Sequence, residues 1–403
     1  MSASPTPGQP RLLRLLNDRS ALDLLLELGP LSRVQICELT GLSKPTASRL
    51  LARLEEAGLV NAVGTSSGGP GRKAVLYAVR GSAAHVAAVI VGPRRITARI
   101  ADLAGAILAE ESIVVQTDDD RVPASVVRRA LTAAGETCAV AADQLHSVTI
   151  SVPGAYDAAE DRVTLLGGLH NWGEPGALST LRAALSPATI LVENDVNLAA
   201  VAERSHGVAR TADSFAVLWV SAGLGLAIDI GGRLHRGATG GAGEIGYMPV
   251  LGTPPGQRRT DFTDLVGAAA VRALARSHGI TARTAAQAVE KACAAQDPQS
   301  EAFVEEFAAR LASGLAVITS VLDPHLIVLS GDIGSAGGQK LARRVQRALR
   351  RISKLRPSLM VSGVEGNPAL AGAMELSLHH TRNALFQASA TELSTVHQVQ
   401  EEQ

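Results

Sequence analysis

Between Arg11 and Leu28 the chain reads RLLRLLNDRSALDLLLEL, with apolar residues returning every three or four positions, the pattern of one or two helical segments packed into a small core. Gly29 and Pro30 end that pattern. Ser32 stands where a cap is needed for a second short helix, SRVQICEL, and Gly41-Leu42 turn the chain into GLSKPTASRLLARLEEAGLV. In that third segment Ser43 is placed to cap, Pro45 falls in the first turn, and Leu50, Leu51, Leu54 and Leu59 share an apolar side. Its other surfaces carry Lys44, Thr46, Ser48, Arg49 and Arg53, donors of the kind that meet phosphates and base edges. After Val60 the period shortens to that of a strand: NAVGTSSGGPGRKAVLYAV is an apolar run, a Gly-rich turn and a second run, a two-stranded wing with Arg72 and Lys73 near its tip. This order predicts a winged helix-turn-helix DNA-binding domain over residues 11–80, behind a flexible leader, residues 1–10. A small helical interaction domain with solvated basic residues is the alternative for the same pattern.

Beyond residue 80 the pattern changes to strands interleaved with helices. Residues 86–91, 96–101 and 107–115 read as three successive strands, HSVTISVPG as another, and PATILVENDVNLAAVAERSHG passes from strand to helix. A second series opens with SFAVLWVSAGLGLAIDIGGRL and closes with a long helical region, the strand HLIVLSGDIG and further helix. Two α/β lobes are expected, residues 83–205 and 206–387, with a cleft between them, a last helix packing back across the lobes, and a flexible tail over residues 388–403.

Composition changes this picture in three places. A chain of 403 residues is too long for an isolated DNA-binding module, so a second activity is expected of the body. The 38 Lys and Arg balance 38 Asp and Glu overall, yet residues 1–80 carry ten basic against six acidic side chains, a head of net charge +4 on a body of −4. Cys37, Cys138 and Cys293 are widely separated and suggest neither a disulfide scaffold nor a ligand cluster. The opening MSASPTPGQP has no signal-peptide pattern, and LASGLAVITSVLDPHLIVLS is interrupted by Asp323, Pro324 and His325 before it reaches the length of a membrane span. A cytoplasmic protein is expected.

The stretch GPLSRVQICELTGLSKPTASRLLARLEEAGLV resembles the winged-helix head of the ROK family, the repressors, open reading frames and kinases, and the resemblance extends over nearly the whole chain. It implies that Ser43, Lys44, Thr46, Ser48 and Arg49 face DNA, that Gly71 and Arg72 lie in the wing, and that the body has the two-lobed, actin-like sugar kinase fold. Kinases of the family carry an aspartate and a Gly-Gly-Thr phosphate loop where this chain has VIVGPRRITARIADLAG, with Ile90 at the aspartate position and Pro93 and Arg94 at the second glycine and the threonine. Their second phosphate segment, Gly-Thr-Gly-x-Gly, is SAGLGLA here, with Ala222 in place of the threonine and Gly223 and Gly225 kept. Both departures argue against phosphoryl transfer.

Sugar-facing positions are better kept. In VENDVNLAAVAE, Asn194 and Asp195 match the family's sugar-contacting pair, Asp195 at the place of the kinase general base; capping of the following helix is the local alternative. GATGGAGEIGYMPV keeps Glu244 of a Gly-Glu-x-Gly-His segment but has Tyr247 for the histidine, and LLGGLHNW brings Gly168 to an asparagine position with His170 nearby. Where the family has a cysteine-rich zinc loop, the chain reads LGTPPGQRRTDFTDLVG, without cysteine; Thr263 and Asp264 stand near the place of a sugar-contacting glutamate. The expected function is therefore a DNA-binding transcriptional regulator, a repressor in the first instance. Its double-stranded operator would be read by Ser43, Lys44, Thr46, Ser48, Arg49, Arg53, Arg72 and Lys73. A sugar or other small metabolite would be held by Asn194, Asp195, Glu244, Tyr247 and His170, with no metal or cofactor and no catalytic residue. A homodimer or higher homo-oligomer fits repeated half-sites. The competing readings are a sugar kinase with an unconventional ATP site and a regulator that needs no effector.

Overall fold

The computed structural model describes residues 10–66, 74–115, 122–166, 169–249 and 260–401. The head is built from α1 (Pro10–Leu28), β1 (Leu31–Ser32), α2 (Arg33–Thr40), α3 (Lys44–Glu56), β2 (Val60–Thr65) and β3 (Val75–Val79). Local rules place its helices. The Ser32 side chain accepts from the Gln35 backbone while Gln35 bonds back to Ser32, a capping box that starts α2, and Gly41 at φ 72° ends it. Ser43 accepts from the Thr46 backbone at the start of α3, with proline in the first turn. Ala47, Leu50, Leu51 and Leu54 of α3 are buried in one cluster with Ala21, Leu22 and Leu25 of α1 and Ile36 of α2. Three antiparallel strands in the order β1-β3-β2 complete a winged helix-turn-helix. The wing tip, with Gly71, Arg72 and Lys73, lies outside the described residues.

The first lobe of the body contains β4 (His85–Val91), β5 (Arg95–Asp102), β6 (Ile107–Val114), α4 (Pro123–Cys138), β7 (Leu145–Val152), β8 (Ala155–Asp157), β9 (Arg162–Thr164), α5 (Ala177–Ala184), β10 (Thr189–Asn194) and α6 (Asp195–Ser205). Its sheet runs β10-β7-β4-β5-β6, parallel across β10, β7 and β4 and antiparallel across β4, β5 and β6. The second lobe contains β11 (Ser214–Val220), β12 (Leu224–Ile230), β13 (Arg233–Leu234), α7 (Phe262–Val266), α8 (Ala268–Ser277), α9 (Ala285–Ala294), α10 (Pro298–Leu322), β14 (Leu326–Ser330), α11 (Gly331–Ala336), α12 (Gly338–Ile352) and β15 (Ser358–Val361). Here the sheet order is β13-β12-β11-β14-β15. Each sheet packs one face on its own helices, α4 and α5 in the first lobe and α7 to α12 in the second.

The remaining faces meet across two helices. One is α6, whose Val196 and Ala200 pack with Phe215, Val217 and Ala227 of the second sheet. The other is α13 (Pro368–Glu401), whose Leu370, Ala373, Met374 and Leu378 pack with Val86 and Ala88 of β4 and with Leu198 of α6. The crossing of the two helices is close: a Cβ on Gly372 would meet the Leu198 carbonyl oxygen at 1.8 Å, so only glycine fits. A buried polar ladder fixes α13 on the sheet. Ser377 Oγ donates to the Ala87 carbonyl at 2.8 Å, the Thr149 hydroxyl lies 2.6 Å from Ser377 Oγ, and Ser147 Oγ donates to the Ser377 carbonyl at 3.0 Å.

Helix α13 also reaches the head. Arg382 donates through Nε and Nη2 to the Leu103 carbonyl at 3.1 and 2.9 Å, Arg19 of α1 donates to Asn383 Oδ1 at 2.6 Å, and Leu385 and Phe386 pack against the head's core cluster. The helix then continues to Glu401, so the segment expected as a flexible tail from residue 388 is helical backbone over most of its length. Its composition allows this: from Ala373 onward it holds neither proline nor glycine. No helix among the described residues is long and apolar enough to cross a membrane.

Candidate nucleic-acid interface and ligand cleft

The outer face of α3 presents Ser43, Lys44, Thr46 and Arg49 to solvent, with Ser48 half-buried. Burial of Ala47, Leu50, Leu51 and Leu54 sets this orientation, because residues three and four apart share a helix face. Ser43 Oγ lies 2.8 Å from Thr46 Oγ1, and Ser48 Oγ donates to the Lys44 carbonyl at 2.9 Å, so the small hydroxyls are held against the helix while Lys44 and Arg49 are exposed. Arg33, which the sequence reading did not select, donates to Ser48 Oγ at 3.0 Å and brings another cation from α2 onto this face.

Arg53 is placed differently from the expectation. Its guanidinium pairs with Asp18 of α1, Nη2 to Oδ1 at 2.5 Å and Nε to Oδ2 at 3.4 Å, and both side chains are largely sheltered from solvent. Burial raises the Asp18 carboxyl above its ordinary value, an effect the Arg53 hydrogen bond partly opposes. More than two turns into α3 the face has rotated onto α1, so Arg53 ties α3 to α1.

The second candidate site lies at the carboxyl end of β10, where the strand passes into α6 and where open α/β sheets commonly place ligands. Asn194 Oδ1 accepts from the backbones of Val196 at 2.8 Å and Asn197 at 3.2 Å, and its Nδ2 donates to the Gly154 carbonyl at 3.0 Å. Asn194 is thus the cap of α6, the local alternative raised by the sequence. Asp195 accepts from the Val196 backbone through Oδ1 at 2.9 Å. Burial pushes its carboxyl up to about 6, against the pull of backbone hydrogen bonds.

Glu244 arrives from the second lobe, in the loop between β13 and the turn holding Tyr247. Gly243 puts it there: at φ 91°, with a Cβ position only 1.7 Å from the Leu226 carbonyl, that residue admits no side chain. The Glu244 carboxyl is raised first by burial and second by the charge of Asp195, so the two acids share one electrostatic neighbourhood. Tyr247 is 54% exposed, and the side chain of His170 lies outside the description.

Behind this pair stands Glu193, which the sequence reading missed. Its buried carboxylate accepts from Arg236 of the second lobe at 2.6 Å, from Asn197 Nδ2 at 2.9 Å and from the Asn194 backbone at 3.0 Å. The only sequence signal was an acid directly before the Asn-Asp pair. Thr263 and Asp264 take structural roles: Thr263 Oγ1 donates to the Gly246 carbonyl at 3.1 Å, and Asp264 Oδ2 accepts from the Asp261 backbone at 3.1 Å at the start of α7.

At the kinase aspartate position Ile90 packs against the apolar cluster of β4, α6 and α13. A hydrocarbon side chain there offers nothing to a magnesium nucleotide. The family zinc does not fit either. Tyr247 lacks an imidazole nitrogen, the three cysteines sit on α2, α4 and α9, and among the described residues no group of three or more His, Cys, Asp or Glu is arranged to hold a metal ion.

Comparison with known proteins agrees with this geometry. The sequence pattern of the ROK family matches residues 86–380, and that of the MarR family matches residues 9–73. The xylose repressor of Bacillus subtilis is 24% identical over 238 residues, a match spanning 59% of this chain and 61% of that protein. The DNA-binding transcriptional dual regulator NagC of Escherichia coli is 24% identical over 344 residues, 82% of this chain and 83% of its own. Among solved structures, a ROK family transcriptional regulator described as a homologue of the E. coli MLC protein superposes with TM-score 0.72 at 18% identity, covering 95% of this chain and all of that one. A ROK hexokinase from Thermus thermophilus superposes with TM-score 0.59 at 22% identity over 74% of this chain and 99% of its own, and so shares the body's fold.

Proposed function

The chain belongs to the ROK family, and from that premise we propose that it is a sequence-specific DNA-binding transcriptional regulator, a repressor whose two-lobed body binds a sugar or other small metabolite. The observation that carries this reading is the joining of an exposed donor face on α3 to a body in which Ile90 fills the kinase aspartate position with hydrocarbon. Lys44, Thr46 and Arg49 read or grip DNA from α3, with Ser43 and Ser48 shaping the helix start and Arg33 adding a phosphate contact. Arg72 and Lys73, which lie outside the described residues, are further DNA-contact candidates from their place in the sequence. In the cleft, the Asp195 and Glu244 carboxylates accept hydrogen bonds from ligand hydroxyls and Tyr247 borders the ligand, with His170 a further candidate from its place in the sequence. A neutral polyhydroxylated molecule supplies the donors that two neighbouring carboxylates lack. The protein acts as a homodimer or larger homo-oligomer in the cytoplasm, one head per operator half-site.

Genome-wide footprinting of the full chain tests the proposal: a recurrent paired half-site is expected upstream of genes for uptake or use of the metabolite, and absence of any specific site sinks it. A second reading has one observation in its favour. A carboxyl near 6 at Asp195 suits a general base at neutral pH, as a sugar kinase requires. ATP-dependent phosphorylation of any sugar in a panel, lost in Asp195→Asn, would establish that reading instead.

A further inference from the structure

We infer that α13 is the mechanical link through which the state of the cleft reaches the recognition helix, with the adjacent residues Asp18 and Arg19 of α1 as its output. This rests on the reading of the body as a ligand-binding controller of the head. The observations form one unbroken chain of contacts. Asn194 and Asp195 open α6 at the cleft, and one turn later the Leu198 carbonyl touches α13 at Gly372. From Gly372 to Phe386 the helix is continuous and about 21 Å long at 1.5 Å per residue. At its far end Asn383 is held by Arg19, Arg382 grips the Leu103 carbonyl, and Leu385 and Phe386 pack on the head cluster. One residue from Arg19, Asp18 holds Arg53 of α3.

Side chains pointing in different directions from one short stretch of α1 therefore bind the strut and the recognition helix. A packed helix transmits displacement because close-packed interfaces have discrete arrangements and resist gradual deformation. A shift of α6 that opens or closes the cleft moves Leu198 against Gly372, where there is no slack, and α13 carries that shift to α1. The groove lined by Asp23, Glu27, Gly105, His206, Glu375 and Arg382, about 540 Å³ in volume, lies between α1, the β5–β6 turn and α13, and gives the head room to reorient at the joint.

Hydrogen–deuterium exchange on the full chain, without ligand or DNA, tests the link. Gly372→Ala forces α13 away from Leu198, and Asn194→Ala, a milder change, removes the cap of α6 and perturbs the same route from the cleft end. Either variant is expected to speed exchange in α1 and α3 by about fivefold or more while the central strands β4 and β7 stay protected. Adding Arg19→Ala with Asn383→Ala is expected to leave α6 and α13 responsive but to reduce the response of α1 and α3, with Leu385 and Phe386 still packed on the head. Should Gly372→Ala lose protection throughout, Asn194→Ala decides. Faster exchange confined to α6 and α13 in the single variants overturns the inference, whatever footprinting says about DNA. Specific DNA binding with no such spread would leave the regulator reading intact and remove the link.

Discussion

At Asp195 burial and the backbone N–H groups of a helix start pull in opposite directions, and burial wins. The folded carboxyl holds its proton more tightly than the unfolded one, whose ordinary value is 3.8, so this group's contribution to stability is greatest at low pH and falls as pH rises from there to about 6. Asp195→Asn is accordingly expected to raise Tm of the ligand-free protein at about pH 7.5 and to lose that advantage near pH 4, read by thermal unfolding across the range. Ligand binding should show the opposite slope. A hydroxyl donating to Asp195 favours the ionised form, so affinity for a bound sugar rises through about pH 6 in the wild type and rises less in the asparagine variant, where Glu244 alone titrates in the site, measurable by calorimetry. Two arginines on α3 separate in the same way. Arg49→Ala is expected to weaken operator binding with Tm nearly unchanged, since the side chain is exposed. Arg53→Ala is expected to cost about 1–2 kcal/mol of head stability, because Asp18 is left sheltered without its partner. The sequence disclosed Ser43, Pro45 and the leucines of α3 because caps and helical period are local properties. It did not disclose the direction of Arg53, which is decided by a helix 35 residues away in the chain.

Helices and strands with a strong period were legible for the same reason. The patterns at residues 86–91, 96–101 and 107–115 correspond to β4, β5 and β6 within a residue or so. The short β8–β9 hairpin escaped notice because three-residue strands carry too few positions for an alternation to register. The tie between α13 and the first sheet was also hidden, since Ser147, Thr149 and Ser377 read individually as ordinary polar residues and only the fold brings their hydroxyls together. Ser377→Ala removes the buried hydrogen bonds that Ser377 Oγ makes with the Thr149 hydroxyl and with the Ala87 carbonyl. It is expected to destabilise the protein by about 1–3 kcal/mol in denaturant unfolding. Gly243→Ala strains the loop that carries Glu244 and drives a methyl group into the Leu226 carbonyl. A loss of about 2 kcal/mol or more is expected, together with loss of ligand binding.

On the scale of the whole molecule, the two sheets face each other across α6 and α13, and the head is tied to the second of those helices. Such an arrangement leaves the head dependent on the body for part of its own core. Family resemblance named the two-lobed body and the winged head from sequence, but the joint between them rests on contacts such as Arg19–Asn383, separated by 364 positions, for which no sequence pattern exists.

That joint has a consequence for biosynthesis. The ribosome finishes α1, α2 and α3 some 300 residues before it adds the turn of α13 that seals the head's core. A half-made chain therefore carries α3 on a head whose last packing partners, Leu385 and Phe386, have not yet been translated. Ribosome-stalled chains halted before Pro368 are expected to keep the head open to protease, and chains halted far enough beyond Phe386 to expose that turn should protect it.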